Sequence, residues 1–413
     1  MDYEIVDFEG NTITVNINND SSIENTLEKE SSFWNHEIIR SFSLTFSSSP
    51  IFYRNPEYSE EFNLWCVVVD RLDIAMQQLN KIKEPLAKEN DLITFMMYAC
   101  MVVDGVKLIF ENIRKKEGDQ NLYVVQEPYR YFGEIYRHSP VYNPQKSDPT
   151  DDKFFEYFRA LVFAHPFKTD RPSFFHSKEI QYSPHPYLSD LKPNIVGAVI
   201  YTNISPEILL LEFPFSTLKE YVKSRYERLE LATQWIKDKI KATHEEWKNE
   251  RINRDLQPIE ILKEIKRILT NRSEDIYDID ELISYLQCDL SIATNEPNVE
   301  LYRAAIIKSI PTLCDAIENV DNEILCDTIE KLLRCRPAKM HPNAHYQLGK
   351  IYCDLDDRDH AYGAESWARD QLFLFSQKFA KKWVEFNVDD MSKQEIRLLT
   401  STACYLECLE QGK

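Results

Sequence analysis

Glycine is scarce in this chain. Only eight occur in 413 residues, against nineteen prolines, twenty-two tyrosines and twenty-two phenylalanines, and no two glycines lie within six positions of each other. β-Sandwiches and doubly wound α/β sheets use glycine where turns enter left-handed backbone or where main chain meets a phosphate. Neither a G-x-G-x-x-G turn nor a P-loop can be written from this sequence, which argues against the ordinary nucleotide-dependent enzymes of those classes. A hydrophobic share of 43% and an aromatic share of 12% provide for sizeable cores, and the length allows two or three domains.

The hydrophobic period divides the chain. Tyr3 to Phe8 and Thr12 to Ile17 alternate around Glu9-Gly10-Asn11, which predicts a hairpin. A polar stretch follows from Asn18 to Ser32, and Phe42 to Phe52 reads as further strand. From Ser59 the period becomes helical. Phe62, Trp65, Val68, Val69, Leu72, Met76 and Leu79 share one stripe, and Leu92 to Ile113 forms a longer helix closed by a charged turn at Gly118. Tyr129 to Tyr136 reads as a short helix. Asp148 is then the expected N-cap of a helix with Pro149 at its first position, stopping near His165 because Pro166 disfavours helical backbone before it. A polar, proline-rich loop runs from Pro166 to Pro193, followed by strands Ile195 to Tyr201 and Ile208 to Phe213 and a long helix from Ser216 to about Arg254. Helical hairpins occupy the rest. The expected class is mostly α: a helical bundle with a small N-terminal β segment, a β-hairpin insertion and a C-terminal α-hairpin region. The expected domains are 1–57, 58–255 and 256–413.

The formal net charge of −19 disfavours a general nucleic-acid coat, but the charge is uneven. Residues 158–254 carry 15 Lys+Arg against 12 Asp+Glu, and the remainder 34 against 56. The opening MDYEIVDFEG has no basic, apolar leader, so no secretory signal is expected. The uncharged run Leu92 to Val103 is too short to span a bilayer and is closed by Asp104, so no membrane is expected. Nine scattered cysteines read as reduced thiols in a cytoplasm, with Cys404 and Cys408, four apart on one helix, assigned to the core.

One stretch points to a chemistry. FFEYFRALVFAHPF, Phe154 to Phe167, is an amphipathic helix carrying Arg159 and His165. The pattern R-x(4–6)-H occurs four times, so spacing alone carries little; the others are Arg171–His176, Arg334–His341 and Arg336–His341. Each of those has a proline between its partners, and only Arg159–His165 lies within one helix. RNA brings its own nucleophile, so cutting it needs a proton shuttle and a cation and no cofactor. On an ideal helix six residues separate two side chains by about 120° and about 9 Å of rise. The pair converges only if His165 leaves the helical path or a second subunit completes the site. The other reading is structural: His165, on the stripe of Phe154, Phe158, Leu161 and Val162, as a hydrogen-bonded core residue, and Arg159 paired to a carboxylate such as Glu156.

Over roughly Ser59 to Pro166, and specifically in FFEYFRALVFAHP, the chain resembles the HEPN superfamily of small helical bundles, whose active members cleave RNA. The resemblance implies a metal-independent ribonuclease with a toxin or antiviral defence role. Arg159 would bind the scissile phosphate and His165 would move protons, with a homodimer assembling the site. Ala160 stands where the family often has a polar residue, and some HEPN members bind without catalysis. Lys168, Arg171 and His176, with Lys178 and His185, give the following loop a cationic character suited to contacting RNA. As zinc ligands its histidines are poorly spaced, so neither metal nor cofactor is expected.

Further on, Leu348, Gly349, Tyr352, Ala361 and Ala368 resemble one tetratricopeptide unit of about 34 residues. His345 replaces the usual tryptophan of that unit. Asp354 to Asp359 mimics a calcium loop, but Arg358 takes a ligand position and Asp359 the place of the required glycine. Two functions of different kinds therefore stand: a ribonuclease acting on RNA, and a non-catalytic helical scaffold that binds a protein partner through its C-terminal helices.

Overall fold

A computed structural model describes residues 2–6, 12–16, 34–56, 58–118, 125–165, 167, 182–203, 205–355 and 363–412. The chain is mostly α. Strands β1 (Asp2–Val6) and β2 (Thr12–Asn16) form an antiparallel hairpin with Asp2 opposite Asn16, as the alternation predicts. There follow α1 (His36–Ser47), α2 (Pro50–Tyr53), α3 (Ser59–Leu79), α4 (Glu89–Glu117), α5 (Gly133–Arg137) and α6 (Asp151–Arg159). After a π-helical turn at Ala160–Ala164 come β3 (Tyr182–Leu188), β4 (Ile195–Thr202) and β5 (Leu209–Pro214). The remaining helices are α7 (Phe215–Tyr226), α8 (Leu229–Trp247), α9 (Pro258–Asn271), α10 (Tyr277–Gln287), α11 (Glu296–Asn319), α12 (Asn322–Leu333), α13 (Ala344–Asp354), α14 (Ala364–Lys378) and α15 (Lys393–Gln411).

Two compact units result, one of residues 1–40 and 69–228, the other of residues 41–68 and 229–413. Their division falls at Arg228 and Leu229, between α7 and α8, and the segment 41–68 groups with the C-terminal helices.

The first unit is built on a three-stranded antiparallel sheet in the order β3-β4-β5. β4 and β5 lie where their hydrophobic runs predict. β3 departs from the proline-rich loop expected over Pro166 to Pro193, because Tyr182 to Leu188 pair with β4. β3 is an edge strand, and alternate prolines can turn their missing donors away from β4 while Ser183, His185 and Tyr187 keep theirs. On the central strand, Gly197 lies against β5 so closely that a Cβ would overlap the Leu211 carbonyl oxygen. α4 is the core helix of this unit, with Leu92, Met96, Val102, Val106, Ile109 and Ile113 fully buried. By length and composition α4 could cross a membrane, but half of its most apolar stretch is buried inside the protein. Gly118, at φ 68°, ends it by donating to the Arg114 carbonyl at 2.9 Å.

The second unit is helical. Phe42 to Phe52 forms helix and no strand: Phe42 and Phe46, one turn apart, pack their rings on Trp65 at 5.9 and 5.7 Å. Burial on one helical face outweighs the β preference of the aromatic run. The expected helix from Ser216 to Arg254 is interrupted after Tyr226, so α7 belongs to the first unit and α8 to the second. In the hairpin resembling a tetratricopeptide unit, α13 packs on α14 with Ala344, Leu348 and Ala368 fully buried. Gly349 has open space where a Cβ would stand, and Ala361 lies outside the described residues. A buried polar network, unforeseen from sequence, joins α10 to α15. Tyr285 donates to Glu281 at 2.5 Å, and Ser401 lies 3.1 Å from the Tyr285 hydroxyl and 2.7 Å from that of Tyr352.

The cysteines depart from expectation. Seven are free thiols, but Cys335 and Cys408 are joined as a disulfide, their Cα atoms 6.8 Å apart. Seventy-three residues separate them in sequence, so their pairing depends on α15 returning to the end of α12. Cys404 is buried, as expected; Cys408 is half-exposed.

Candidate functional site

α6 begins two residues later than the sequence predicts. Thr150, in extended backbone at ψ 162°, is the N-cap, and its hydroxyl accepts from the Lys153 amide at 3.4 Å. Asp148 instead accepts from the Arg137 guanidinium at 2.6 Å. The reason is Asp151, which is fully buried and accepts from the Phe132 amide at 2.8 Å and the Tyr131 amide at 3.2 Å. Burial pushes its carboxyl above the usual range, only partly offset by those two amides. Asp152 accepts from the Tyr221 hydroxyl and the Arg225 Nε, each at 2.7 Å. The face that carries Asp151 also buries Phe154, Phe155 and Phe158 against an aromatic core. Phe154 stacks on Phe132 at 4.6 Å, and Phe158 meets Phe213 edge-on at 4.8 Å. These anchors hold α6 in one rotational setting, so they decide where Arg159 points.

Arg159 ends α6 and reaches across to α4. Its Nη1 donates to Asp104 Oδ2 at 2.8 Å, and Cys100 adjoins the guanidinium. Burial pushes the Cys100 thiol up to about 12, against the lowering effect of Arg159, so at neutral pH the sulfur is uncharged and Asp104 is the anion that balances the arginine. The pair is open to solvent: 35% of the Arg159 side chain and 59% of the Asp104 side chain are exposed. Such a pair is worth about 0–1 kcal/mol, weak enough for a competing anion to displace. Glu156, the partner expected from sequence, is taken by Lys153 at 2.7 Å.

Between Arg159 and His165 the helix widens into the π turn, where the His165 amide donates to the Ala160 carbonyl at 3.1 Å. A turn closed between residues five apart holds one residue more than an α turn, and such turns recur at functional sites. His165 then leaves the helix, at φ −134° and ψ 65°, as the following proline requires. The reading of His165 as a core histidine is corrected. The apolar stripe ends at Val162, and His165 is exposed, with no described residue hydrogen-bonding its imidazole.

Comparison with protein-family models, with curated proteins and with solved structures finds no match.

Of the other residues expected at the site, Lys168, Arg171, His176 and Lys178 lie outside the described residues. His185 sits in β3, exposed, with Nδ1 2.8 Å from the Pro186 carbonyl oxygen. Among the described residues no group of histidine, cysteine and carboxylate side chains could hold a metal ion. Sequence reasoning missed Asp104 and Cys100 as neighbours of Arg159. Asp104 was visible as the acid that interrupts the longest apolar run, but its partner lies 55 residues away.

Proposed function

We propose that this chain is a metal-independent RNA endonuclease in which Arg159 binds the scissile phosphate and His165 moves the proton. One observation carries the reading: an exposed imidazole, free of described partners, follows by six positions an arginine whose ion pair is itself open to solvent. In the reaction the ribose 2′-oxygen attacks phosphorus, its proton passes to an imidazole, and the 5′-oxygen leaves with a proton from imidazolium. A cyclic phosphate and a free 5′-hydroxyl result. Arg159 releases Asp104 to neutralise the developing charge on the phosphate oxygens. One histidine cannot serve as base and acid in the same instant without reprotonation, so a second copy of the chain supplies the other imidazole. A toxin or defence role fits such an activity, because RNA cleavage by this route needs no cofactor.

The test is degradation of RNA in EDTA. Wild-type protein cleaves, and folded Arg159→Ala and His165→Ala variants lose on the order of 10²-fold or more. Undiminished cleavage by both variants sinks the assignment.

The second reading is a non-catalytic helical scaffold, and the observation that favours it is the Arg159–Asp104 ion pair, which ties α6 to α4 whether or not RNA binds. Asp104→Asn separates the two. For an endonuclease it frees Arg159 and lowers the KM for RNA about two- to fivefold, the equivalent of an exposed ion pair. For a scaffold, neither protein cleaves.

A further inference from the structure

The second unit contains a pocket of about 550 Å³ between α11, α12 and α15, and the Cys335–Cys408 disulfide forms part of its wall. Its two charged lining residues are both cations, Lys308 and Lys331, in a chain of net charge −19. Lys331 pairs with Asp327, whereas Lys308 has no ion-pair partner among the described residues. Hydroxyls, including those of Thr328 and Tyr405, complete the polar lining. Both cysteines are half-buried and both line the pocket. Elsewhere, burial holds the Cys100 and Cys404 thiols up at about 12, which leaves them inert as nucleophiles at neutral pH.

We propose that this pocket is a thiol-exchange site, in which a small anionic thiol held by Lys308 and Lys331 opens the Cys335–Cys408 disulfide. The incoming thiolate attacks Cys408 Sγ, the sulfur–sulfur bond breaks, and its electron pair leaves on Cys335, which takes a proton from solvent. Cys335 is the leaving sulfur because Lys331 stands one helical turn before it and Arg336, directly after it, donates to its carbonyl. Arg334 is engaged by Asp278, and the Glu407 and Glu410 carboxylates near Cys408 by Lys382. A thiolate leaves faster where cations lower its basicity. A second molecule of the same thiol then attacks the mixed disulfide. It releases Cys408 and carries away the small-molecule disulfide, so two thiols deliver two electrons to the protein. The occupant is a carboxylate-bearing thiol of peptide size, which the volume and the paired lysines suit.

The experiment uses the full chain as isolated, with reduced glutathione under anaerobic conditions, acid quench, alkylation and peptide mapping. Without an oxidant, a reduced thiol adds only to a disulfide, so the free cysteines stay silent. The expected result is, at early quench times, one tripeptide on Cys408 and a newly alkylatable Cys335, giving way at later times to both cysteines alkylatable as the second thiol reacts. Glutathione should react about tenfold faster than the cationic thiol cysteamine at matched thiolate concentration, a preference that Lys308→Glu abolishes. Equal rates for the two thiols, an adduct on Cys335, an unreactive disulfide, or alkylation of all nine cysteines before any thiol is added would each overturn the proposal.

Discussion

Asp151 shows how one buried residue can set the position of the helix that carries Arg159. Its carboxylate accepts from two backbone amides, that of the half-buried Tyr131 and that of the buried Phe132, where a missing acceptor is costly. Asp151→Ala should therefore cost about 2–4 kcal/mol in denaturant unfolding of the first unit, whereas Asp151→Asn, which keeps an acceptor, should cost less. The sign of the pH effect follows from burial. A carboxyl raised above its ordinary value of 3.8 binds its proton more tightly folded than unfolded. Its contribution is full at low pH and falls as pH rises through the raised value. As pH rises from below 3.8 through the raised value, stability should thus decline less steeply, or rise more, in Asp151→Asn than in wild type, as thermal melts would measure. Gly197 is constrained by space: with the Leu211 carbonyl where a Cβ would go, Gly197→Ala must push β5 from β4. A loss of more than about 2 kcal/mol is expected, and an unchanged melting temperature would contradict this packing.

Among the elements, α15 carries the most constraint. Its N-cap Ser392 accepts from the Glu395 amide at 3.1 Å, Leu398, Leu399 and Ala403 are fully buried, and Cys408 ties its last turn to the end of α12. A cross-link closing a loop of 73 residues limits the unfolded chain by about 4 kcal/mol. Reductant should lower the unfolding midpoint of the second unit by roughly 10 °C, and Cys335→Ser should reproduce the shift and abolish further response to reductant. The π turn after α6 acts oppositely, by releasing His165 from the apolar stripe that an unbroken α-helix would have continued.

For the whole molecule, the charge segregation bears on how RNA would arrive. A chain of net charge −19 repels a polyanion overall, whereas the 15 cations of residues 158–254, set against 12 acids in that stretch, would attract it. Added salt should therefore screen both effects, and RNA affinity should respond to ionic strength far less than for a uniformly basic nuclease. A site shared between two copies would make the proposed activity depend on concentration. Specific activity should fall on dilution in step with the dimer fraction seen by sedimentation, and constant specific activity down to a fully monomeric sample would remove the second copy from the mechanism.

Much of the fold was legible in the sequence because it is written in local periods. The hairpin at the start, the long stripes of α3 and α4, the strands β4 and β5 and the predominance of helix follow from alternation, spacing and glycine scarcity. So does the end of the helical stretch at His165, since a proline after it stops a helix wherever that helix lies. Contacts between distant residues decided the rest. Phe42 and Phe46 became helical because Trp65 offered their rings a common face. Asp151, not Asp148, turned inward because two amides nineteen and twenty residues earlier needed an acceptor. Arg159 found Asp104 rather than Glu156, and Cys335 found Cys408, by approaches that only the packed chain creates. Periodicity reports which face a residue occupies on its own element; which residue faces it from another element is settled by packing, and the candidate site depends on that second kind of information.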